Sequence, residues 1–138
     1  MEIANLTNNT KKVVEDFYAA LAAKNLDKIV NQFSDDVDWF IAGEETLAPW
    51  LGQRNNRQEV KEFFQVLQDN LESVRFEIEH ILADGDFAVA TGELASRMLS
   101  TGVVFESTFS AHFTVRENQI IRYRFLEDSD GLVKALTK

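Results

Sequence analysis

The last part of the sequence places a tyrosine and two carboxylates where they could exchange protons with a bound molecule. Tyr123 and Glu127 have the same parity as Phe125, and Asp128 follows directly. Side chains of equal parity in a β-strand point to one face, so Tyr123 and Glu127 are expected to face the interior together. A carboxylate in a partly apolar interior has a raised pKa and can act as a general acid or base. We therefore predict proton transfer, with Glu127, Asp128 and Tyr123 as candidate catalytic residues.

Each of these candidates has a structural alternative. Glu127 could simply end its strand, in solvent beside Asp128 and Asp130. His112 is a fourth catalytic candidate, because the pKa of histidine lies close to neutrality. It occupies the polar parity of its strand, which favours the outer surface or an interface. Both interpretations stay open at this point.

These candidates depend on a long alternating run over Val103–Leu126. Phe105, Phe109 and Phe113 share one parity, and mostly Ser, Thr, Glu and His occupy the other, which is the period of a half-buried strand. Residues 116–119 turn the chain, and a second strand follows. Because the run exceeds the usual strand length, it favours a strongly twisted, bent sheet. The concave aromatic face of such a sheet is either filled core or a pocket.

The remaining elements follow from hydrophobic periodicity and turn residues. Helices are predicted after the capping cluster Thr7–Thr10, from Leu26 to Phe33, and from Arg57 to Leu71, with breaks at Lys24-Asn25 and at Ser34–Asp36. Strands are predicted at Val37–Ile41, Val74–Ala83 and Phe87–Leu99, with a loop over Ala42–Arg54, a hairpin turn at Asp84-Gly85 and a last helical turn at Gly131–Leu136. Helices segregated on one face of an antiparallel sheet define an α+β architecture. Since the sheet must curve around three helices, we expect a cone whose interior stays partly unfilled.

Composition limits the class of protein. The chain of 138 residues, 45% hydrophobic and 27% charged, is expected to form one globular domain over residues 1–138. A net charge of −9 opposes nucleic-acid binding, and no apolar run approaches the ~20 residues of a membrane helix. The absence of cysteine and of a signal-like N-terminus predicts a cytoplasmic protein. Two distant histidines without cysteine argue against a metal site, and we expect no cofactor.

Four stretches of the chain resemble the nuclear transport factor 2-like superfamily, and more closely its SnoaL-like and ketosteroid isomerase-related branch. They are VVEDFYAALAAKNLDKIVNQFSDDVDW, PWLGQRNNRQEVKEFFQVL, ADGDFAVATGEL and SAHFTVRENQIIRYRFLED. The resemblance covers nearly all of the chain and implies a cone-shaped roll, also called cystatin-like, in which a curved antiparallel sheet wraps around three N-terminal helices. The superfamily includes isomerases, polyketide cyclases, dehydratases, epoxide hydrolases and non-catalytic modules, so the fold does not determine the chemistry.

The ketosteroid isomerase pattern is not matched residue by residue. Such a site resembles a general-base Asp with a Tyr and a protonated Asp that donate to an enolate oxygen, which is a known example of pKa tuning. Ile41 stands at the position of the base, Phe17 at that of the tyrosine and Ala111 at that of the protonated Asp. A shift of one residue would bring Tyr18 and His112 into the pattern, but it would also turn a strand residue to the opposite face.

Two other family patterns match in part. Epoxide hydrolase sites resemble an Asp–Arg–Asp network, for which Arg75-Phe76-Glu77 is similar but lacks a third member. Polyketide cyclase sites resemble a carboxylate on the last strand with a histidine on the strand before it. Glu127 or Asp128, together with His112, are similar to that pattern.

The expected ligand-binding pocket is aromatic and comprises Phe17, Tyr18, Trp39, Trp50, Phe63, Phe109, Phe113 and Phe125. Trp39 also fits plain core packing, Trp50 fits a pocket rim, and Tyr18 fits either a ligand contact or helix packing. We expect a small hydrophobic molecule as the partner and an isomerase, cyclase or hydratase that works by cofactor-free acid–base chemistry. The alternative is a non-catalytic ligand-binding or dimerisation module. The outer sheet face, rich in Ser, Thr, His and Arg, is expected to form a homodimer.

Overall fold

The computed structural model describes residues 2–137 and confirms the α+β architecture. The helices are α1 (Glu2–Ala22), α2 (Leu26–Asn31), α3 (Arg57–Asn70) and α4 (Ser129–Leu136). The strands are β1 (Phe33–Ile41), β2 (Gly52–Arg54), β3 (Leu71–Asp84), β4 (Phe87–Met98), β5 (Val104–Arg116) and β6 (Gln119–Leu126). None of the helices within residues 2–137 is long and apolar enough to cross a membrane.

The strands form one curved, unclosed sheet in the order β2-β1-β6-β5-β4-β3. The hairpins β3–β4, β4–β5 and β5–β6 are antiparallel, as predicted. The turn between β5 and β6 places Glu117 and Asn118 at φ 53° and 65°, which is the left-handed pair of a tight hairpin turn. β1 lies parallel to β6, and this pairing was not predicted. It joins strands far apart in the chain, so no local turn signal marks it.

The first helix begins earlier than predicted. α1 starts at Glu2, so the cluster Thr7–Thr10 lies inside the helix and does not cap it. The hydroxyls bond the β3–β4 turn instead: Thr10 Oγ1 donates to the Gly85 carbonyl at 2.7 Å, and the Gly85 N–H donates to Thr7 Oγ1 at 2.8 Å. A tertiary partner therefore replaces the local capping role that these residue types usually have.

The α2–β1 boundary also differs from the prediction. Phe33, predicted to end the second helix, is the first residue of β1 and is fully buried. The Ile120 N–H donates to the Gln32 carbonyl at 2.7 Å, which draws the chain into the sheet at that point. The break at Lys24-Asn25 is confirmed, since Lys24 is left-handed and the Asn25 side chain caps α2. The loop predicted over Ala42–Arg54 includes the short strand β2.

The two ends of the cone differ in how they are filled. Around the β3–β4 turn, side chains from α1 and the sheet pack against each other and exclude solvent. Several of them are fully buried, namely Val14, Ala88, Phe113 and Ile120. At the opposite end β3 begins and β4 and β6 end, and there the helices and the sheet enclose a cavity. The cavity is therefore restricted to one end of the cone.

Candidate functional site

The cavity has a volume of about 460 Å³, a size that accommodates a small organic molecule. Its walls come from α1, α3, α4, the strands β1, β3, β4, β5 and β6, and the loop before β2. Most lining side chains are aromatic or aliphatic. The exceptions, apart from the two tryptophan N–H groups, are Tyr18, Lys24, Ser73, Ser96, Tyr123 and Glu127.

Four aromatic residues form what we call the floor of the cavity: Phe17, Tyr18, Trp39 and Tyr123. The rings of Trp39 and Tyr123 lie 4.3 Å apart, and those of Phe17 and Tyr18 lie 4.9 Å apart. Phe17 links the two pairs, with its ring 6.2 Å from that of Tyr123. Trp39 and Tyr123 are adjacent because the parallel β1–β6 register pairs them directly. The floor therefore depends on the pairing that sequence reasoning did not predict.

Three phenylalanines form a stack along one wall. The Phe109 ring lies between those of Phe76 and Phe125, at centroid distances of 5.0 and 5.1 Å and nearly parallel to both. Phe76 and Phe125 line the cavity, whereas Phe109, stacked between them, does not. The ring of Phe109 passes close to Gly92, where a Cβ would approach it to 2.9 Å. Glycine at this position thus leaves room for the Phe109 ring and for the backbone carbonyl of Glu77.

Glu127 is the only carboxylate on the cavity wall among the described residues. Burial, and to a smaller extent the nearby charge of Asp128, raise the pKa of its side chain to about 7. Within residues 2–137, the structure gives the carboxylate no hydrogen-bond or ion-pair partner, so it is available to a ligand. Near neutral pH both its protonated and its ionised form are populated, as acid–base catalysis requires.

Both tyrosines of the floor remain protonated at neutral pH. Burial raises the pKa of Tyr18, and burial followed by the charges of Tyr18 and Glu127 raises the pKa of Tyr123. Tyr18 and Glu127 are thus close enough to Tyr123 to affect its pKa. The Tyr18 hydroxyl and the Trp39 indole N–H are buried and, in the described part of the chain, have no hydrogen-bond partner.

The structure leaves Asp128 and His112 outside the cavity, so neither can touch a molecule bound there. Asp128 caps α4: its carboxylate accepts from the Gly131 N–H at 3.0 Å, and its own N–H donates to Ser107 Oγ at 3.0 Å. His112 lies on the outer face of β5, as its parity indicated, and shares a hydrogen bond of 3.0 Å with Ser110 Oγ. The structure thus brings together Tyr123 and Glu127 but neither of the other two candidates.

Most of the predicted aromatic pocket residues line the cavity: Phe17, Tyr18, Trp39, Trp50, Phe63 and Phe125. Phe109 and Phe113 do not. Phe109 is covered by its stacked neighbours, and Phe113 is fully buried beneath the rings of Phe17, Tyr18 and Tyr123. Strand parity gave the correct face for both, but it does not say whether another ring intervenes.

Sequence reasoning missed several polar lining residues. Ser73 and Ser96 face each other across β3 and β4 beside a register shift between Ser73 and Arg75. Such a bulge changes the parity of a strand, so alternation alone does not assign the face. Lys24 lies at the left-handed end of α1 and is exposed, which places it at the cavity mouth.

The positions compared with known catalytic patterns carry no acid towards the cavity. Phe17 and Ile41 line it, and Ala111 is buried in the sheet. Arg75 is on the outer face, where it forms long ion pairs with Glu77, Glu93 and Glu106. In the described residues no three His, Cys, Asp or Glu side chains are grouped to hold a metal ion.

The described residues thus form a conical α+β fold with an apolar cavity, and a single half-buried carboxylate, Glu127, lies on the cavity wall. A family model described as the SnoaL-like domain matches residues 14–123, and the chain belongs to this family of the nuclear transport factor 2-like superfamily. No curated protein matches the chain in sequence.

Solved structures share the fold over nearly the whole chain. An NTF2-like protein from Burkholderia xenovorans LB400 is 24% identical over 95% of this chain and 98% of its own, with a TM-score of 0.85. An M. tuberculosis LEH-like epoxide hydrolase is 18% identical over 94% and 90%, with a TM-score of 0.73. A protein described as a candidate polyketide cyclase from Pseudomonas putida KT2440 is 18% identical over 93% and 98%, with a TM-score of 0.74. At these identities the likeness shows the fold alone.

Proposed function

We propose that this protein binds a small, largely apolar molecule in the cavity and moves a proton on that molecule with Glu127. The observation that carries the proposal is the position of Glu127 on an otherwise mainly apolar wall, where burial raises the pKa of its carboxyl group to about 7. The matching reaction classes are isomerisation, cyclisation and hydration without a cofactor. Structures of the same fold are named for isomerases, a polyketide cyclase and an epoxide hydrolase, which is in keeping with this range.

The proposed chemistry is a proton shuttle. Ionised Glu127 takes a proton from an acidic C–H or O–H group of the ligand, and the resulting carboxylic acid returns it to another atom. The electron pair of the broken bond stays on the ligand, so an isomerisation is balanced without an oxidant or reductant. Tyr123 shares the cavity with Glu127 and, being protonated, can donate to the negative charge that develops. This arrangement differs from the ketosteroid isomerase pattern, which places its base elsewhere.

A non-catalytic ligand-binding protein is the second candidate. One observation favours it: within the described residues, neither a tyrosine nor a histidine holds the Glu127 carboxylate in a fixed orientation by a hydrogen bond. In that case the cavity would only carry or store its ligand. The two candidates differ in what happens to the bound molecule.

Hydrogen–deuterium exchange into a carbon acid distinguishes the candidates. 2-Tetralone, a bicyclic ketone with acidic C–H groups, is incubated with the protein in D2O, and incorporation is followed by NMR. We expect exchange above the buffer rate and a loss of about 100-fold or more in Glu127→Gln, the range for general acid–base groups. Glu106→Gln, which alters an exposed carboxylate of the outer face, is the matched control and should keep the wild-type rate.

Binding is measured in the same samples by tryptophan fluorescence, since Trp39 and Trp50 both line the cavity. If 2-tetralone binds without enhanced exchange, or if the Glu127 variant exchanges as fast as the wild type, the non-catalytic candidate is favoured. If 2-tetralone does not bind at all, this ketone is not a ligand of the cavity, and the result counts against a small carbon-acid ketone as the substrate.

We also propose that the chain is a single cytoplasmic SnoaL-like domain that forms a homodimer through the outer sheet face. Leu82, Phe87 and Leu126 support the dimer, because they are exposed on that face, with Leu82 at 67%. On that face Arg75 lies among three glutamates, a net negative cluster, whereas Arg122 and Arg124 of β6 share Asp38 and keep one net positive charge. A twofold axis between these ends would therefore bring opposite charges together. The lack of cysteine is in keeping with a reducing compartment.

A further inference from the structure

We infer that the ligand of this cavity is an amphipathic anion, whose apolar body fills the cavity and whose anionic oxygen group is held at the cavity mouth by Lys24. The inference rests on the proposed function only in taking the cavity as the ligand site, and it does not require Glu127 to be catalytic. It adds to the proposal the chemical class of the ligand, the end by which it enters and a specificity-determining residue.

The first argument is the charge of Lys24. Among the described residues that line the cavity, Lys24 is the only lysine or arginine. Its side chain is exposed and, within residues 2–137, forms no ion pair or hydrogen bond, whereas Lys12 of α1 pairs with Asp16. A positive charge at the cavity mouth is therefore available to a ligand.

The second argument is the backbone conformation of Lys24. Its φ of 56° lies in the left-handed region, which glycine adopts readily and which is unfavourable for a residue with a Cβ. Two backbone hydrogen bonds of 3.1 Å fix this turn, from the Lys24 N–H to the Leu21 carbonyl and from the Asn25 N–H to the Ala20 carbonyl. Because glycine would relieve the strain, a lysine at this position points to a role for its side chain.

The third argument is the direction of α1, which brings its last turn towards the start of β3. Thr10 Oγ1 donates to the Gly85 carbonyl, in the turn after β3, at 2.7 Å. Further along the helix, the Tyr18 ring lies 6.2 Å from the ring of Phe76, in the first half of β3. The helix therefore runs against the strand, and Lys24, just beyond the end of α1, lies towards the beginning of β3.

The paired strands β3 and β4 supply two hydroxyl groups to the same end of the cavity. Ser73 and Ser96 are direct partners in the β3–β4 register and both line the cavity, so their side chains are neighbours on its wall. Neither hydroxyl has a hydrogen-bond partner within residues 2–137. Ammonium and hydroxyl groups donate hydrogen bonds that an anionic oxygen accepts. We call Lys24, Ser73 and Ser96 the polar rim.

The cost of desolvation decides which end of the ligand stays at the polar rim. Deeper in the cavity an anion would lose its hydration among apolar side chains, and it would share that space with Glu127. At the rim, where Lys24 and Ser73 are exposed, the anion keeps part of its water. The net charge of −9 opposes anions at long range, but salt screens this repulsion beyond about 8 Å. The ligand therefore enters with its apolar end first.

A matched pair of fluorescent probes tests the inference. 8-Anilino-1-naphthalenesulfonate and N-phenyl-1-naphthylamine have the same aromatic skeleton and differ by the sulfonate group, and both brighten in apolar sites. The carbon-13 methyl signal of Met98, which lines the cavity, reports whether each probe occupies it. The Kd of each probe is measured by fluorescence titration in the wild type and in the variants.

Two variants assign the charge. Lys24→Met removes the ammonium group and keeps most of the alkyl chain. The range measured for exposed ion pairs predicts about two- to fivefold weaker binding of the sulfonate probe and unchanged binding of the neutral probe. Added salt should weaken sulfonate binding in the wild type more than in Lys24→Met. Lys11→Met makes the same change of charge at an exposed lysine of α1 that does not line the cavity, and this matched control should keep both affinities.

Each outcome decides a separate point. Sulfonate binding that is unchanged in Lys24→Met, or weakened equally in Lys11→Met, overturns the inference and leaves the cavity as a ligand site. If neither probe shifts the Met98 signal, both the inference and the cavity as a site for such molecules are overturned. The proposed proton transfer fails separately, because it depends on deuterium exchange into the neutral 2-tetralone and on its loss in Glu127→Gln.

Discussion

Replacing Glu127 with glutamine should make the protein more stable at pH 8, with a much smaller effect at pH 5. The folded protein raises the pKa of this carboxyl group from 4.5 to about 7, mainly because burial disfavours the charged form. The folded state therefore binds the proton more tightly than the unfolded state. The resulting stabilisation is fully present below pH 4.5 and is lost as the pH rises through 7.

The magnitude follows from the size of the shift. At 1.36 kcal/mol for each pKa unit, the ionised carboxylate costs the folded state up to about 3 kcal/mol above pH 7. At pH 5 this cost is below about 1 kcal/mol, because the folded carboxyl group is still protonated. Glutamine stays neutral, so the stability difference between Glu127→Gln and the wild type should grow by about 2 kcal/mol from pH 5 to pH 8.

Urea denaturation of both proteins at pH 5, 6, 7 and 8 measures this difference. Other groups titrate equally in the two proteins and cancel in the comparison; Asp38, for example, has a lowered pKa and titrates below this window. Glu106→Gln serves as the control and should show no such growth, since its carboxylate is exposed. A difference that stays constant from pH 5 to pH 8 would refute the assignment of a raised pKa to Glu127.

Three further substitutions test other parts of the structure. Tyr18→Phe should stabilise the free protein by about 1 kcal/mol, seen as a higher melting temperature, because it removes a buried hydroxyl without a partner; a clear destabilisation would mean that the hydroxyl is bonded. Gly92→Ala should cost about 2 kcal/mol in urea denaturation, since the new methyl group meets the Phe109 ring and the β3 backbone, and an unchanged midpoint would contradict this packing. Leu82→Asp should convert a dimer to a monomer in light scattering, whereas a monomeric wild type would refute the proposed interface.

The fold could be predicted largely from local patterns. Alternation over Val103–Leu126 identified β5 and β6, and the Asp84-Gly85 turn fixed the β3–β4 hairpin. The capping pattern at Thr7–Thr10 failed because the hydroxyls bond the distant Gly85. The parallel pairing of β1 with β6 could not be predicted, since it depends on how the whole sheet curves around the helices.

The candidate site likewise has features that local sequence patterns predict and features that depend on long-range strand pairing. Parity placed Tyr123 of β6 on the cavity side correctly, because parity is a local property of a strand; Glu127 also lines the cavity but lies one residue beyond the end of β6, where parity no longer applies. Asp128 could have been identified as a helix cap, since it precedes Ser129 at the start of α4. The contact of Trp39 with Tyr123 could not be predicted from the sequence, because it arises from the unpredicted pairing of β1 with β6. The catalytic role of Glu127 stays a prediction.

A carbon-13 NMR titration of the Glu127 side-chain carboxyl tests the central claim most directly. The signal is assigned by its loss in Glu127→Gln, and its chemical shift is followed from pH 4 to pH 9 in the protein without ligand. We expect a pKa of about 7, because burial in the cavity wall disfavours the charged form of the carboxyl group. A midpoint near 4.5 would show a solvated carboxylate and would contradict both the acid–base site and the proton transfer proposed for it.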